Sequence, residues 1–429
     1  MIARWRWALR QLTRRLWFRA SLFSLLGVAT ALLAIIFKGA IPETLPARIG
    51  ADAVDKILGI IASSMLAVTT FSLSTMVAAY GAASTGVTPR ATTLVMQDTT
   101  TQNALATFIG SFLFSLVGLI ALSTGAYGAQ GRVLLFTVTI AVVILIVYTL
   151  LRWIDHLSKL GRVGETIDRV ESATIDALRH RVQWPYLGGT PYPASGSPPA
   201  SAQAVSCDRT GYVQHVDVQA LGRIAREHQA SIYLDVLPGG FAHAGMALAW
   251  IVPQPGEEPA AHEALHEAIL GAITLGTHRT FEHDPRFGLS VLSEIASRAL
   301  SPAVNDPGTA IDVIGRGVRS LTCWGQPPDS PPEADPDCQR IYVHPLDVDD
   351  LFDDFFGPIA RDGAGLLEVD TRMTKALLSL AQINPPLFKA AASRHAARLL
   401  QHAEHALVLD EDKRRIRELA QPLLRREAH

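Results

Sequence analysis

ILGIIASSMLAVTTFSLSTMVAAYGAASTGVT, residues 57–88, decides the fold. No charged side chain stands between Lys56 and Arg90. An α-helix of about 20 apolar residues, rising ~1.5 Å at each, crosses the ~30 Å of hydrocarbon in a bilayer. The stretch is therefore predicted to span a membrane. Ser63, Ala67, Thr70, Ser74, Ala78 and Gly81 recur every three or four residues and share one helical face. Leu66, Val68, Phe71, Leu73, Met76 and Val77 cover much of the remainder. A stripe of small and hydroxyl residues has two physical meanings inside a membrane. It lets a second helix backbone approach closely, or its hydroxyls replace water around a passing ion. Both readings stay open from the sequence.

Working outward, the 429 residues are 48% hydrophobic and only 18% charged, against about 25% charged in soluble domains. With a mean hydropathy of +0.21, this composition predicts a membrane portion joined to a soluble one. The net charge of −2 carries no bias toward nucleic acid. Cys207, Cys323 and Cys338 are far apart, odd in number and outside any CxxC pair, so reduced thiols facing a cytosol are expected. Abundant Ala, and Arg in excess of Lys, suit a GC-rich bacterial gene.

Four spans are expected, over about residues 16–37, 57–82, 104–123 and 133–151, within a membrane domain of residues 16–153. Residues 1–15 carry Arg4, Arg6, Arg10, Arg14 and Arg15 with Trp5 and Trp7. The apolar run that follows is too long for the h-region of a signal peptide. Lys38-Gly39-Ala40-Ile41-Pro42 also lacks a cleavage pattern, so a retained first span is predicted. Arg152, Lys159, Arg162 and Arg169 follow the fourth span. Basic residues at both ends place the N- and C-termini in the cytoplasm of a bacterial cell, with the chain crossing its inner membrane. In the second connector Pro89 breaks the long helix. Residues 91–102 then read as a short interfacial helix with Asp98 and Gln102 on one side. Arg90 and Asp98 suit a mutual pair or a lipid headgroup, and ionisable groups this near hydrocarbon are candidates for function.

The rest reads as cytoplasmic. Ile154, Leu157, Leu160, Val163, Ile167, Val170, Thr174 and Leu178 have helical spacing, predicting one juxtamembrane helix over residues 154–184 that continues the fourth span. A Pro/Gly/Ser-rich linker follows. An α+β domain over 204–345 begins with strands at 211–216, 230–236 and 246–252, turned by Pro238-Gly239-Gly240. This order resembles a small β-barrel-like or sandwich module, without a turn lysine that would make it a lipoyl or biotinyl carrier. His262-Glu263-Ala264-Leu265-His266 spells HExxH, a zinc-gripping pattern on a helix with Glu263 as base. The extension with Gly and a third His does not follow, and a solvated helix face is the competing reading. Residues 346–429 form a helical tail. Asp347, Asp349, Asp350, Asp353 and Asp354 lie there among Leu351, Phe352, Phe355 and Phe356. They read as a charged helix start rather than a cation loop.

The densest polar run is GTHRTFEHDPRFGLSVLSEIASRALSPAVNDPGTA, residues 276–310. Arg279, Thr280 and Asp284 precede a helix bearing Glu294 and Arg298 at ion-pair spacing. Ser301, Asn305, Asp306 and Thr309 supply a turn and the next helix cap. The run either fixes a helix–turn–helix corner or lines a pocket for a polar ligand. ASRALSPAVNDPGTA with RTFEHDPRFGL resembles the bacterial predicted membrane proteins grouped as domain of unknown function 2254. TPRATTLVMQDTTTQNALATFIGSFLFSL resembles that family's connector and third span. TGYVQHVDVQAL and LPGGFAHAGMALA resemble its β portion, with Gly240 where an acidic residue is expected. The resemblance implies four spans, a cytoplasmic domain and no settled activity, and HEALH is not part of the pattern. Three functions are thus carried forward: an oligomeric channel lined by residues 57–88, a non-conducting sensor or scaffold, and a membrane-tethered zinc hydrolase. The expected partners are the lipid bilayer and further copies of the chain, with no nucleic acid. No cofactor is implied, and metal enters only through His262 and His266.

Overall fold

A computed structural model describes residues 16–36, 51–96, 98–252, 259–326 and 336–425. The basic segment 1–15, the first connector over 37–50 and residues 97, 253–258, 327–335 and 426–429 lie outside the described residues. The chain forms two compact units, one within Trp5–Thr166 and one within Ile167–His429.

The first unit is helical: α1 (Leu16–Ile36), α2 (Ala51–Gly86), α3 (Pro89–Met96), α4 (Thr99–Ser123) and α5 (Gly128–Leu157). Among the described residues three helices are long and apolar enough to cross a membrane, over Ala53–Ala82, Thr99–Ser123 and Gly131–Leu157. The first helix is apolar over the shorter Trp17–Leu33. α4 is the most enclosed, burying Phe108 and Phe114. α1 meets it backbone to backbone. A Cβ built on Gly27 would lie 2.6 Å from the Gly110 carbonyl oxygen, and one on Gly110 would lie 2.9 Å from that of Phe23. Absence of side chains there lets the helices close, as small residues do between membrane helices. The buried Tyr127 hydroxyl donates to the Ala31 carbonyl at 2.8 Å, satisfying a phenol that lipid could not. α5 turns Ile144, Leu145, Val147 and Leu151 outward, an apolar surface that suits hydrocarbon.

Two local expectations need correction. Residues 91–102 are not one interfacial helix. α3 stops at Met96, and Asp98 is the N-cap of α4. An aspartate followed by threonines competes for backbone N–H groups and so starts a new helix. Nor does one helix continue the fourth span over residues 154–184. α5 ends at Leu157, and Gly161 takes φ +83°, which glycine adopts without a Cβ clash. α6 (Val163–Gln183) then begins.

The second unit is α+β. Strands β1 (Thr190–Pro191), β2 (Gln203–Ser206), β3 (Gly211–Val216), β4 (Ser231–Leu234), β5 (Phe241–Ala242), β6 (Ala247–Val252), β7 (Ile273–Gly276) and β8 (Ile341–Val343) form two sheets. One has the order β1-β8-β4-β6-β2 and the other β5-β3-β7. β8 pairs parallel with β1 and β4, while the remaining pairs are antiparallel. The described strands show no pairing between the two sheets, so the expected barrel-like closure is not among their bonds. Helices α7 (Val218–Glu227) and α8 (Pro259–Ala272) complete this layer. Its core joins Val213, Leu221, Ile232, Ile251, Ile269 and Val343. Six helices follow: α9 (Pro285–Ala299), α10 (Pro307–Trp324), α11 (Val348–Asp362), α12 (Leu367–Ile383), α13 (Pro385–Ala406) and α14 (Asp410–Leu424). Phe352, Phe355, Phe356 and Phe388 have no exposed surface and weld α11 to α13. Each such ring removed from water contributes roughly 1.5–3 kcal/mol.

Candidate functional site

The stripe on α2 lies outside its own bundle. Ser63, Ala67, Thr70, Ser74, Ala78 and Gly81 are all exposed, whereas Val54, Leu58, Ile61, Met65, Ser72 and Met76 are buried. Ser63 donates to the Gly59 carbonyl, Thr70 to Leu66 and Ser74 to Thr70, each at 3.0 Å. The hydroxyl protons are thus engaged within the helix, and what the side chains present outward is oxygen lone pairs. A Cβ on Gly81 would meet nothing within 4 Å. Ile60, Leu66, Phe71 and Val77 stand exposed beside the stripe.

A second cluster sits where α4 begins. Asp98, 7% exposed, accepts from the Thr101 amide at 2.8 Å and from the Thr101 hydroxyl. His156, near the end of α5, places Nε2 2.7 Å from the same carboxylate and 3.2 Å from the Thr101 hydroxyl. Gln102, also buried, donates to the Met96 carbonyl at 3.2 Å. Thr88 caps α3 through the Ala91 amide at 3.3 Å, with Pro89 and Arg90 exposed just beyond. The arrangement ties the start of α4 to the end of α5 through an acid and an imidazole.

In the second unit the 276–310 motif splits into two jobs. Arg279 grips Asp284 with two bonds, of 2.7 and 2.9 Å. Asp284 also accepts from the Phe287 amide at 3.0 Å as the N-cap of α9. Gly239, at φ +94°, lies so close that its Cβ would meet the Asp284 carboxylate at 2.2 Å. The Pro-Gly-Gly turn is thereby seated on this ion pair, with Thr280 half-buried alongside. Burial holds the Asp284 carboxyl above the usual carboxylate range, with Arg279 pulling the other way. The other half is a corner. Ser301 donates to the Arg298 carbonyl at 2.7 Å, Asn305 takes φ +49°, and Asp306 caps α10 through the Thr309 amide at 3.0 Å and hydroxyl at 2.6 Å. Asn305 and Asp306 are exposed, Glu294 is half-buried and Arg298 exposed.

The HExxH pattern does lie on a helix, α8. His266 Nε2 is 2.7 Å from the Ala204 carbonyl, which can only accept, so this nitrogen carries the proton and is closed to metal. Glu263 is exposed, and the His262 side chain lies outside the described residues. Among the described residues no group of three ligating side chains is placed to hold a metal ion.

The profile of a family described as predicted membrane proteins (DUF2254) matches residues 13–379. The chain belongs to this family. Uncharacterized proteins of Mycobacterium tuberculosis and Mycobacterium bovis are 27% identical to it over 262 residues, 60% of this chain and 50% of theirs. The chain thus spans about half the length of the curated relatives it matches. No solved structure matches it.

Within this member of the family, several charged partnerships have no signature in the sequence. Arg286 pairs with Asp350 and, at 2.6 Å, with Asp354 of α11. Asp349 pairs with Arg394, and Asp353 lies 3.5 Å from Arg398. The acidic start of α11 is therefore met by arginines of α9 and α13. Arg316 and Arg319 of α10 both hold Glu171 of α6, at 2.9 and 2.6 Å. His180, His215 and His283 converge from distant positions. Only their final contacts, not their spacing, mark any of these sets.

Proposed function

We propose that the chain is a four-span protein of a bacterial cell membrane that assembles with copies of itself. The α2 helices then line a conducting path, and the second unit acts from the cytoplasm as a gate. The observation that carries this reading is the exposed stripe from Ser63 to Gly81. A stripe of small side chains and hydroxyl oxygens favours close contact with another protein surface or with water over a lipid-facing position. Because Ser63, Thr70 and Ser74 donate inward, they offer oxygen acceptors outward, which suits a cation in passage. α1 supplies the fourth crossing, and the basic residues at both ends support cytoplasmic termini. The buried Asp98–His156 pair ties the start of α4 to the end of α5 within the bundle that presents the stripe.

The test is current across planar bilayers containing purified protein. Conduction is expected, and Thr70→Leu or Ser74→Leu should reduce it several-fold while leaving the protein folded. Absence of current at every voltage and tension would overturn conduction. The exposed Leu66, Phe71 and Val77 beside the stripe favour one second reading: a dry contact between α2 helices in a non-conducting sensor or scaffold. In that case the oligomer persists without current.

A further inference from the structure

The second unit contains a cavity of about 290 Å³ that the membrane reading does not use. His180 from the last turn of α6, His215 of β3 and His283 from the loop before α9 all line it. The rings form one cluster. His283 is centred 5.3 Å from His180, edge to face, and 4.9 Å from His215. Three elements far apart in the chain thus meet through imidazoles, beside a space with room for the water that carries protons.

The charges facing this cluster come from each element around it. Arg181 follows His180 on α6 and is 3% exposed, with no hydrogen-bond partner at Nε or Nη1 among the described residues. Its charge opposes a proton on His180. Asp217, the N-cap of α7 just after β3, and Glu282 from the loop favour a proton on His215. Asp284, from the same loop, is held by Arg279 through two bonds. Outside that pair, one cation and two acids face the rings, which balances one added proton. A second imidazolium beside the first is unbalanced, and the two repel. We propose that the histidine cluster is a pH-sensitive latch, which holds the end of α6 to β3 and to the loop before α9 while its rings are neutral and releases it as they charge.

The direction follows from the same groups. Burial first, then Arg181 and His215, holds His180 below the usual imidazole range. Burial lowers His215 as well, against the pull of Asp217 and Glu282. Rings of this kind take up protons more readily in an opened junction than in the closed one. The latch is therefore fully closed above about pH 6.5, where an open imidazole is neutral, and weakens as pH falls below that. The inference is independent of whether the chain conducts.

The experiment is hydrogen exchange followed by mass spectrometry on the full-length protein in detergent, with protection corrected for the intrinsic pH dependence of exchange. Protection over residues 176–184 should fall about tenfold from pH ~7.5 to ~5.5. Residues 310–321 of α10, which carry no histidine, should change by less than about twofold. His180→Gln with His283→Gln should keep the higher protection at the lower pH. His283→Gln alone removes the ring that meets both others and should cut the loss to about threefold or less. The remote His402→Gln should leave the loss whole. Unchanged protection in the wild-type chain, an equal loss in α10, or a full loss in either cluster variant would overturn the proposal.

Discussion

Asp370, in the first turn of α12, has no exposed surface, and neither of its carboxylate oxygens has a hydrogen-bond partner among the described residues. Burial, helped by Glu368, pushes its pKa up to about 8, against about 3.9 in an unfolded chain. Between those values the folded protein keeps a proton that the unfolded chain has lost. Stability from this site is therefore full below about pH 4 and falls as pH rises toward 8. Asp370→Asn keeps the volume and removes the charge. It should raise the melting temperature by about 4 °C or more at pH 8 and leave it nearly unchanged at pH 4. Scanning fluorimetry at both pH values checks this, and an equal shift at both would contradict it. Nothing local in the sequence distinguishes Asp370 from an ordinary helix-start acid, because its isolation is made by the helices packed around it. Asp98 teaches the same lesson. Its capping role is readable from the threonines that follow, but its bond to His156 joins residues far apart in the chain.

Elements were more legible than their partners. Apolar runs and helical spacing locate α1, α2, α4, α5 and the tail helices, because both signals are local. The hydrogen-bonded corner at 301–309 was equally readable, since its bonds stay within a few residues. The sheets were not. Strands β3 and β4 are neighbours in sequence but lie in different sheets, because α7 between them carries the chain away. The contact of α1 with α4 was also hidden, as glycines look permissive until a backbone lies against them. Gly27→Ala pushes a methyl to 2.6 Å from the Gly110 oxygen, so the helices must separate. Destabilisation of about 1–3 kcal/mol is expected, seen as a lower detergent-solubilised melting temperature. Gly59→Ala, where nothing lies within 4 Å, should be nearly neutral. Equal effects at the two sites would refute the packing argument.

For the whole molecule, the two faces of α2 carry the account. One is buried against its own bundle, and the other presents small and hydroxyl groups that are exposed among the described residues. Composition and family both speak for a membrane setting, and we propose that there copies of the same helix cover this stripe. The most direct measurement is oxidative cross-linking in native membranes, with the three native cysteines replaced by alanine. Ser74→Cys, on the stripe, is compared with Ile144→Cys, on the apolar outer face of α5. The account predicts covalent dimers from Ser74→Cys and only monomer from Ile144→Cys. Monomer at both positions, or dimers from Ile144→Cys alone, would contradict it.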